Sequence, residues 1–482
     1  MSAIAVVGSL NMDLIVRLNR WPTRDETVLG RTFRTAPGGK GANQAVAAAR
    51  QGLPVQMVGC VGQDRFAEGL LESLRGADVN VEGVRRASGS SGVALIGIEP
   101  DGQSGIIVVQ GANRAVSRNH VESERERLAT CSWLLLQLEI PLEANLAAAE
   151  LARHLGTRVI LTPSPIPNTP LPPDLLDRVD IIVPNRGEAE ALTGESDPER
   201  AAARLHERGS ATVIITLGSE GALLVDEMGP RRIDPFPVDV VDSTAAGDAF
   251  VGTLAAALAM EYPIDQAARR AAAAGALAVT VLGAQPSLPT RQQVEAMLAS
   301  AEGRNPPDYP EELAFSFESR GGAEMVARPI LPSDARRLQK TFLELSPQSI
   351  YRRFFSPRQN LTDQEARQYA NVDYKERLAL VATPATDAEH IVGVARYAPT
   401  EDRTAAVEMA IVVADAYQGQ GIGRALFRAL AEAAQHNGFR WMLVETHVDN
   451  EAMVELAEHA GYPVTVEFSG GLKRLWLRLD GG

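Results

Sequence analysis

Short apolar runs alternate with alanine-rich stretches of helical spacing from Ile4 to about Pro289. A continuous apolar run bounded by turn residues is typical of a strand that is buried on both faces, and intervening helices place such strands parallel. The pattern therefore predicts an α/β fold, with a central parallel sheet and helices on both of its faces. The clearest strand candidates are residues 133–138, 158–161, 181–183 and 213–217.

Two further apolar runs, at 93–98 and 105–109, stand on either side of Pro100-Asp101-Gly102. Turn residues between two apolar runs favour an antiparallel hairpin rather than a crossover. We expect this hairpin to form a small β lid on the parallel sheet.

A second pattern begins near Val326. It predicts strands at 391–397, 405–413 and 441–446, helices at 422–435 and 450–459, and a closing hairpin at Gly470 and Gly471. This mixture predicts a compact α+β domain. Residues 302–325 are rich in Gly, Pro and charge and show no apolar period, which is typical of a linker. The expected organisation is a first domain at 1–300, a linker at 301–325 and a second domain at 326–482.

Composition and charge narrow the classes of function. The 482 residues are too many for one ordinary core, and a formal charge of −14 argues against a general nucleic-acid binder. Cys60 and Cys131 are the only cysteines, which gives neither a disulfide framework nor a metal-ligand spacing. No run approaches the roughly 20 apolar residues that span a bilayer, and no targeting pattern opens the chain. We expect a cytoplasmic protein without membrane or nucleic-acid partners.

One run carries what phosphoryl transfer needs. Small residues at Ala245, Ala246 and Gly247 leave backbone N–H groups free to point at one place, and the helix that follows adds positive potential for an anion. Asp248 at the helix start can face a substrate hydroxyl and take its proton. The alternative is that Asp248 only complements the helix dipole.

Other polar groups stand where strands or loops open helices. Gly38-Gly39-Lys40-Gly41-Ala42-Asn43 allows close backbone approach, with Lys40 and Asn43 as candidate holders of hydroxyls. Asn11 and Asp13 are expected to end the first strand, where ligands of open α/β sheets bind. Asn185 and Glu188 follow the strand at 181–183 and suit a hydrated Mg²⁺. Each has a structural alternative, as a turn, a turn former or a helix cap.

Together these residues resemble the ribokinase/PfkB family of sugar kinases over essentially all of residues 3–300. Two signatures carry the resemblance: Gly38-Gly39-Lys40-Gly41 with Asn43, and the run from Asp242 to Asp248. Within the family the chain looks most like the ribokinases, because of the segments Gly8-Ser9-Leu10-Asn11-Met12-Asp13, Gln110-Gly111-Ala112-Asn113, Gln137-Leu138-Glu139 and Gly283-Ala284-Gln285-Pro286-Ser287. The resemblance implies phosphoryl transfer from ATP to O5 of D-ribose.

The resemblance also implies roles for individual residues. Asp248 would be the base, and the amides of Ala245, Ala246 and Gly247 would meet the phosphoryl charge. The sugar would be held by Asn11, Asp13, Gly39, Lys40, Gly41, Asn43 and Glu139. The nucleotide would meet Asn185, Thr216, Gly218, Ser219, Gly221 and Gly247, with Mg²⁺ held through water by Glu188. An activating K⁺ would take ligands from Asp242, Thr244, Ala278, Val281, Gly283 and Ser287, and the lid would join two copies in a homodimer.

One departure from the family concerns the adenine. Where ribokinases often carry His or Asn, this chain has Ala272, which offers no polar side-chain contact. The loss of one contact weakens nucleotide binding by about 1 kcal/mol and leaves the chemistry intact. The choice of sugar is also open to deoxyribose, fructose or a nucleoside, because pocket shape and not the catalytic motif sets it.

A glycine-rich loop organises the second domain. Gln418-Gly419-Gln420-Gly421-Ile422-Gly423 follows a strand and opens a helix, so its amides can cradle a pyrophosphate. The segment resembles the acetyl-CoA loop of GNAT acetyltransferases, across about residues 325–480. The resemblance implies an acetyl-CoA site formed by Val412, Val413, Gln418, Gly419, Gly421, Ile422, Gly423 and Asn450.

Acetyl transfer requires an amine to lose a proton, and Glu408 on the strand before the loop is the candidate base. Whether Glu408 faces the site or solvent stays open. Many family members carry a Tyr acid where this chain has Ala457.

Three segments resemble bacterial protein-lysine acetyltransferases: Arg328-Pro329-Ile330, the stretch 345–355 and the strand at 391–397. The arginines and aromatic residues in them are equally compatible with a packed helix that has a solvated face. The acceptor is therefore expected to be a protein lysine or a small amine. In the alternative, the domain senses acetyl-CoA without transferring the acetyl group.

Overall fold

A computed structural model describes residues 3–99, 104–167, 169–306 and 308–480. The chain divides into two compact units, residues 1–294 and 295–482. Among the described residues, no helix combines the length and apolar character that crossing a membrane requires.

The described part of the first unit contains thirteen strands in two sheets. The central sheet has the order β13-β12-β11-β10-β9-β8-β1-β4-β5, and a separate sheet has the order β3-β2-β6-β7. The strands are β1 (Ala3–Val7), β2 (Asn11–Arg17), β3 (Thr32–Gly38), β4 (Val55–Val61), β5 (Val79–Arg86), β6 (Gly92–Ile98), β7 (Ser104–Val109), β8 (Cys131–Gln137), β9 (Arg158–Thr162), β10 (Ile181–Ile182), β11 (Thr212–Thr216), β12 (Ala222–Asp226) and β13 (Gly229–Ile233).

Helices cover the central sheet. They are α1 (Lys40–Ala49), α2 (Arg65–Arg75), α3 (Arg118–Ser123), α4 (Arg125–Leu128), α5 (Leu142–Leu155), α6 (Pro173–Leu176), α7 (Arg186–Thr193), α8 (Pro198–Glu207), α9 (Ala246–Ala259), α10 (Ile264–Ala278), α11 (Ala284–Ser287) and α12 (Arg291–Ala301), which crosses the boundary between the units. The strands from β11 to β5 in the sheet order pair parallel, whereas β12 and β13 add an antiparallel edge. The predicted α/β fold is confirmed.

The predicted hairpin is present as β6 and β7, which pair antiparallel. Its turn at Pro100-Asp101-Gly102 lies outside the described residues. The hairpin joins β2 and β3 in the separate four-stranded sheet, the lid.

The prediction that Asn11 and Asp13 end the first strand is wrong. Strand β1 ends at Val7, the chain leaves the central sheet, and Asn11 opens β2 of the lid. Gly8 and Ser9 are the only interruption in the apolar pattern at this break, because Leu10 and Met12 continue the pattern and are themselves buried.

The second unit is an eight-stranded sheet with helices, in the order β14-β15-β16-β17-β18-β19-β21-β20. Its strands are β14 (Phe315–Glu318), β15 (Glu324–Pro329), β16 (Leu378–Pro384), β17 (Gly393–Pro399), β18 (Ala406–Val413), β19 (Trp441–His447), β20 (Val464–Ser469) and β21 (Leu472–Arg478). Its helices are α13 (Ala335–Leu343), α14 (Pro347–Phe354), α15 (Asp363–Ala370), α16 (Ile422–His436) and α17 (Glu451–Glu458).

Part of the segment predicted as a linker is regular structure. Strands β14 and β15 pair antiparallel within and beyond it, and Phe315 and Phe317 pack on the core of the second unit. The alternation of Phe315 and Phe317 covers only four residues. A strand pattern this short is not recognisable within a segment rich in Gly and charged residues. The closing hairpin predicted at Gly470 and Gly471 is present between β20 and β21.

Candidate active sites

Two closely packed helices set the first site. A Cβ added to Gly252 of α9 would lie 2.5 Å from the Cβ of Ala47 on α1, so only glycine permits this approach. The packing places Asp248, in the first turn of α9, beside the first turns of α1. The Asp248 carboxylate is 6% exposed and accepts hydrogen bonds from Asn43 Nδ2 at 3.0 Å and Gln44 Nε2 at 3.2 Å.

A second buried carboxylate, Glu139, accepts hydrogen bonds from two separate segments of the chain. Its Oε2 accepts hydrogen bonds from Ser9 Oγ, from Asn11 Nδ2 at 3.2 Å and from the Lys40 amide at 3.3 Å. Asn113 Nδ2 donates to Asn11 Oδ1 at 2.7 Å, which fixes the orientation of the Asn11 amide. The lid strand β2 and the helix α1 are thereby tied to one buried acid.

Asp13, Lys40, Glu139 and Asp248 lie close enough together for their charges to act on one another. Burial raises the pKa of Asp13 to about 7, and the negative charges of Glu139 and Asp248 add to the rise. Burial likewise raises the pKa of Asp248, against the opposing effects of Lys40 and the hydrogen bonds from Asn43 and Gln44. Burial alone would lower the pKa of Lys40, but the surrounding carboxylates outweigh it and the net shift is upward.

The glycines of the 38–41 segment are required by close backbone approach. A Cβ on Gly41 would lie 2.6 Å from the amide nitrogen of Ser9, and one on Gly38 would lie 2.3 Å from Asp13 Oδ2. Gly39 also has a φ of 92°, in the left-handed region that side chains disfavour. The loop therefore brings backbone N–H groups against the polar cluster.

The run that precedes Asp248 is bent sharply. Ala245 caps α9 with a φ of 61°, an unusual value for a residue with a side chain and one that is often found at functional sites. The N–H groups of the first turn of α9 have no partners within the helix, which is the donor geometry for an anion. A Cβ on Gly247 would meet nothing within 4 Å, so space is open beside this turn.

Asp242 joins the two segments predicted to bind K⁺. Its carboxylate accepts hydrogen bonds from the Thr244 amide at 3.0 Å, from Thr244 Oγ1 at 2.6 Å and from the Gly283 amide at 2.8 Å. The backbone amides of Val241 and Asp242 both donate to the Val279 carbonyl. The loop that precedes α9 is thus fastened to the connection that contains Val281 and runs from Ala278 at the end of α10 into α11, which ends at Ser287.

Asn185 and Glu188 form a reciprocal helix cap at the start of α7. Asn185 Oδ1 accepts from the Glu188 amide and Glu188 Oε2 accepts from the Asn185 amide, both at 2.9 Å. The sequence had allowed a helix cap as the alternative to a Mg²⁺ site for these two residues, and this cap is present. The cap does not use Glu188 Oε1. Asn185 pairs as an isolated bridge with Thr216, so the exposed loop with Gly218, Ser219 and Gly221 starts beside it.

Sequence reasoning missed Gln44 and Gln137. Gln137 Nε2 donates to Gln44 Oε1 at 2.7 Å, and Gln44 Nε2 donates to Asp248 and to Thr162 Oγ1. Both glutamines are fully buried. Their signal is a polar amide inside an otherwise apolar helix and strand, since such a group is retained only where it has partners.

Among the described residues, no group of three or more His, Cys, Asp and Glu side chains is arranged to hold a metal ion. The predicted ions do not need such a group. A hydrated Mg²⁺ takes one or two carboxylates plus phosphates, and most residues of the predicted K⁺ set could offer only a backbone carbonyl.

In the second unit, the glycine-rich loop forms one wall of a cavity of about 330 Å³. All the residues predicted to bind acetyl-CoA line it: Val412, Val413, Gln418, Gly419, Gly421, Ile422, Gly423 and Asn450. Gly421 caps α16 in the left-handed conformation, so the helix N-terminus opens into the cavity. Arg320, Arg352 and Arg424 also line it and add positive charge.

Glu408 lies on the same face of β18 as Ala410 and Val412, because side chains of a strand alternate. Glu408 is exposed, and the face that it shares with Val412 is also the face that lines the acetyl-CoA cavity, so its role as the base stays a prediction. Burial of part of the side chain raises the pKa of Glu408, as does the negative charge of Glu445, while Arg353 opposes the rise. Ala457 is fully buried and offers no acid.

Comparison with known proteins covers both units. The model of the pfkB family of carbohydrate kinases matches residues 1–291, and the model of the GNAT acetyltransferase family matches residues 346–462. Ribokinase from Haemophilus influenzae is 37% identical over 304 residues, which are 62% of this chain and 99% of that protein. Deoxyribokinase from Salmonella typhi is 36% identical over 62% of this chain and 99% of its own length.

Among solved structures, ribokinase from Arabidopsis thaliana complexed with ribose and ATP matches with a TM-score of 0.59. It is 36% identical, over 62% of this chain and 99% of that chain. The two sequence signatures, the buried cluster around Asp248 and the match to the family model all indicate the same family. The chain belongs to the pfkB family of carbohydrate kinases, and it carries behind the kinase a domain of the GNAT acetyltransferase family.

Proposed function

We propose that the first domain phosphorylates D-ribose at O5 with ATP, and that Asp248 is the base. The observation that carries the proposal is the buried Asp248 carboxylate, which lies close enough to Asp13, Glu139 and Lys40 for the charges to act on one another. Carboxylate oxygens and amides from β2, α1 and β8 suit a ligand with several hydroxyls, since each hydroxyl donates and accepts hydrogen bonds. Asn11, Asp13 and Asn43 provide the matching side chains.

The reaction needs the sugar hydroxyl to lose a proton as it attacks the γ-phosphorus. Asp248 takes this proton, while Asn43 and Gln44 hold its carboxylate in place. The transferred phosphoryl group gains charge that the amides of 245–247 meet at the start of α9. Mg²⁺, when bound, neutralises phosphate charge in the region of Glu188. Asn185 and the loop from Thr216 to Gly221 position the nucleotide, with Ala272 contributing no polar contact.

A K⁺ ion fits the Asp242 loop as an activator. The hydrogen bonds from Thr244 and Gly283 fasten the two segments that would supply its ligands. Because the same loop leads into Ala245 and α9, an ion there would act on the amides that meet the phosphoryl group. Replacement of K⁺ by Na⁺ at constant ionic strength tests this, and equal turnover in both would contradict it.

The choice of ribose rests on the ribokinase relatives. Ribokinase and deoxyribokinase relatives are 37% and 36% identical, so identity alone does not separate the two sugars. The test is kcat/KM for D-ribose, 2-deoxy-D-ribose, D-fructose and a nucleoside, with ATP and K⁺. A higher kcat/KM for any of the other three would reject ribose as the substrate.

Asp248→Asn tests the base with little change in shape. We expect kcat to fall by a factor of about 10² to 10⁴, with little change in the dissociation constant of the sugar. Asp197→Asn is the matched control, because Asp197 caps α8 and Asn caps equally well. Near-normal turnover of the Asp248 variant would exclude Asp248 as the base.

For the second domain we propose transfer of an acetyl group from acetyl-CoA to an amine, either a protein lysine or a small amine. The cavity that all the predicted residues line supports the cofactor site. Glu408 is the candidate base, with its raised pKa. The second candidate, an acetyl-CoA sensor that transfers nothing, is favoured by the buried Ala457 where an acid would stand. Labelled acetyl-CoA with amine and protein panels separates the two, since binding without transfer would leave only the sensor.

We propose that two kinase domains pair through their lids. By strand register, Phe33, Leu95, Ile107 and Val109 lie on the lid face opposite Asp13, and each is 40% or more exposed. An exposed apolar face of this kind marks an interaction surface. Ile107→Glu should give a monomer by sedimentation, whereas the exposed loop substitution Met228→Glu should not. A wild-type monomer at micromolar concentration would refute the pairing.

A further inference from the structure

A second, smaller cavity lies in the GNAT domain between α13, α14 and α15 on one side and β16, β17 and β18 on the other. Its volume is about 50 Å³, and its walls are mostly apolar. Two arginines line it, Arg353 of α14 and Arg396 of β17. Arg353 and Val412 line the acetyl-CoA cavity as well, so the two cavities adjoin.

The surroundings of these two arginines are apolar and aromatic. Nη1 of Arg396 is buried and has no hydrogen-bond partner among the described residues. Within the described part of the chain, neither guanidinium forms an ion pair, and their close contacts are aromatic: Arg396 lies 4.4 Å from the Tyr369 ring centre and Arg353 lies 4.9 Å from that of Phe354. Burial lowers the pKa of Arg353 to about 10, and the charge of Arg396 adds to this effect.

Both guanidinium groups therefore stay charged at neutral pH, in a pocket whose described lining includes no acid, and the nearby carboxylate of Glu408 attracts both without forming an ion pair with either. A buried charge without a partner is unfavourable, and two of like sign are more so. An anion that binds between them removes the penalty, and a carboxylate matches the planar fork of a guanidinium. One water-sized group needs about 10 to 15 Å³ of this kind of volume. A cavity of about 50 Å³ therefore holds a few such groups, which is the size of a carboxylate with the carbon atom attached to it.

We propose that this cavity binds the carboxylate of a small amino-acid-like acceptor, whose amine the GNAT domain acetylates. The proposal rests on the acetyl transfer proposed above and specifies its acceptor. Val412 joins the two cavities, and Glu408 lies on the same face of β18, two residues from Ala410, or about 7 Å. A carboxylate held at the arginines thus leaves an amine a few bonds away near both the thioester and the candidate base.

In the reaction, the amine nitrogen bonds to the acetyl carbonyl carbon and the carbon–sulfur bond breaks. The electron pair leaves with the CoA sulfur, which takes a proton from water. The nitrogen gives its proton to Glu408. A protein lysine carries no carboxylate beside its amine, so this pocket favours a free amino acid over a protein acceptor.

The test is equilibrium binding to the full chain, with and without CoA, of three amino acids and their matched amines. Glycine, β-alanine and 4-aminobutyrate are compared with methylamine, ethylamine and propylamine. We expect at least one amino acid to bind about tenfold or more tightly than its matched amine. Equal binding within every pair would overturn the proposal, as would tight binding of inorganic phosphate in place of the carboxylates.

Arg396→Met and Arg353→Met separate binding from a structural role. Each should abolish the preference for the carboxylate, while the affinity for acetyl-CoA changes less in Arg396→Met, whose side chain does not line that cavity. Arg396→Met should melt at the same or a higher temperature, because an uncompensated charge is removed. Arg440→Met, at an exposed site, is the control. A lowered melting temperature with unchanged carboxylate preference would show that Arg396 is structural and refute the pocket. Failure of the wild-type chain to bind acetyl-CoA would instead contradict the transfer activity itself.

Discussion

Gln44→Met tests how the carboxylate of Asp248, the proposed base, is held. Methionine matches glutamine in length but cannot donate a hydrogen bond, so Asp248 would keep only the bond from Asn43. A hydrogen bond to a charged group contributes about 1.5 to 3 kcal/mol, and one pKa unit corresponds to about 1.4 kcal/mol. The pKa of Asp248 should therefore rise by about one to two, since the lost bond had favoured the ionised form.

The sign of the change identifies the role. A base acts when it is ionised, so the acid limb of the kcat profile should move to higher pH by the same amount, about one to two pH units. At a fixed pH below that limb, a move of one pH unit lowers kcat about tenfold, whereas the alkaline plateau stays close to wild type. The assay is kcat at saturating sugar and ATP across the pH range.

Gln51→Met is the matched control for this experiment. Gln51 is also buried just after α1, but its Nε2 donates to the carbonyls of Ala47 and Pro289 and not to Asp248. Both variants should lose stability, because each leaves buried polar groups without a partner. An unmoved acid limb in Gln44→Met, or an equal move in both variants, would refute the positioning role of Gln44.

Two further predictions concern the same pocket. The pKa of Asp13 is raised to about 7, so the sugar KM should rise as the pH falls through about 7. The reason is that a protonated Asp13 accepts a hydrogen bond from a hydroxyl less well. Asp13→Asn should remove this pH dependence of KM. A dependence centred near pH 4 would contradict the burial argument. Gly41→Ala should destabilise the fold by about 1 to 3 kcal/mol, because the added Cβ meets backbone at 2.6 Å, while Gly69→Ala in the open interior of α2 should stabilise it slightly. Chemical denaturation measures both, and equal stabilities would contradict the steric reason.

Contiguous motifs pointed to several of the residues that the structure brings together around Asp248. Lys40 and Asn43 lie in the first turn of α1 and Asp248 in the first turn of α9, so short patterns were sufficient to find them. Gln44 belongs to the same pattern, but its role depends on Gln137, a residue 93 positions away that reaches it from β8. No local pattern records which buried amides meet across two elements.

Prediction of strands from apolar and polar alternation was wrong where a strand was short or where one strand was followed closely by another. Only Gly8 and Ser9 interrupt the apolar pattern before the buried Leu10 and Met12, so the transfer of the chain from the central sheet to the lid left a weak local trace. Strand β14 has only four residues and draws its stability from β15 and the core beneath it. Both errors arise because pairing between distant segments, not local preference, decides these positions.

The kinase domain buries an excess of carboxylates, whereas the GNAT domain buries two guanidinium groups, and this difference affects which ligands each site can accept. In the kinase pocket, Asp13, Glu139 and Asp248 face one ammonium, and the excess is reduced because Asp13 holds its proton up to about pH 7. The pocket can therefore stand ready for a neutral sugar. Guanidinium groups have no such route, since Arg353, even with its pKa lowered to about 10, remains protonated at neutral pH. Glu408 attracts both Arg353 and Arg396 without forming an ion pair with either, and an anionic acceptor would add compensating charge at the place where the acetyl group is expected.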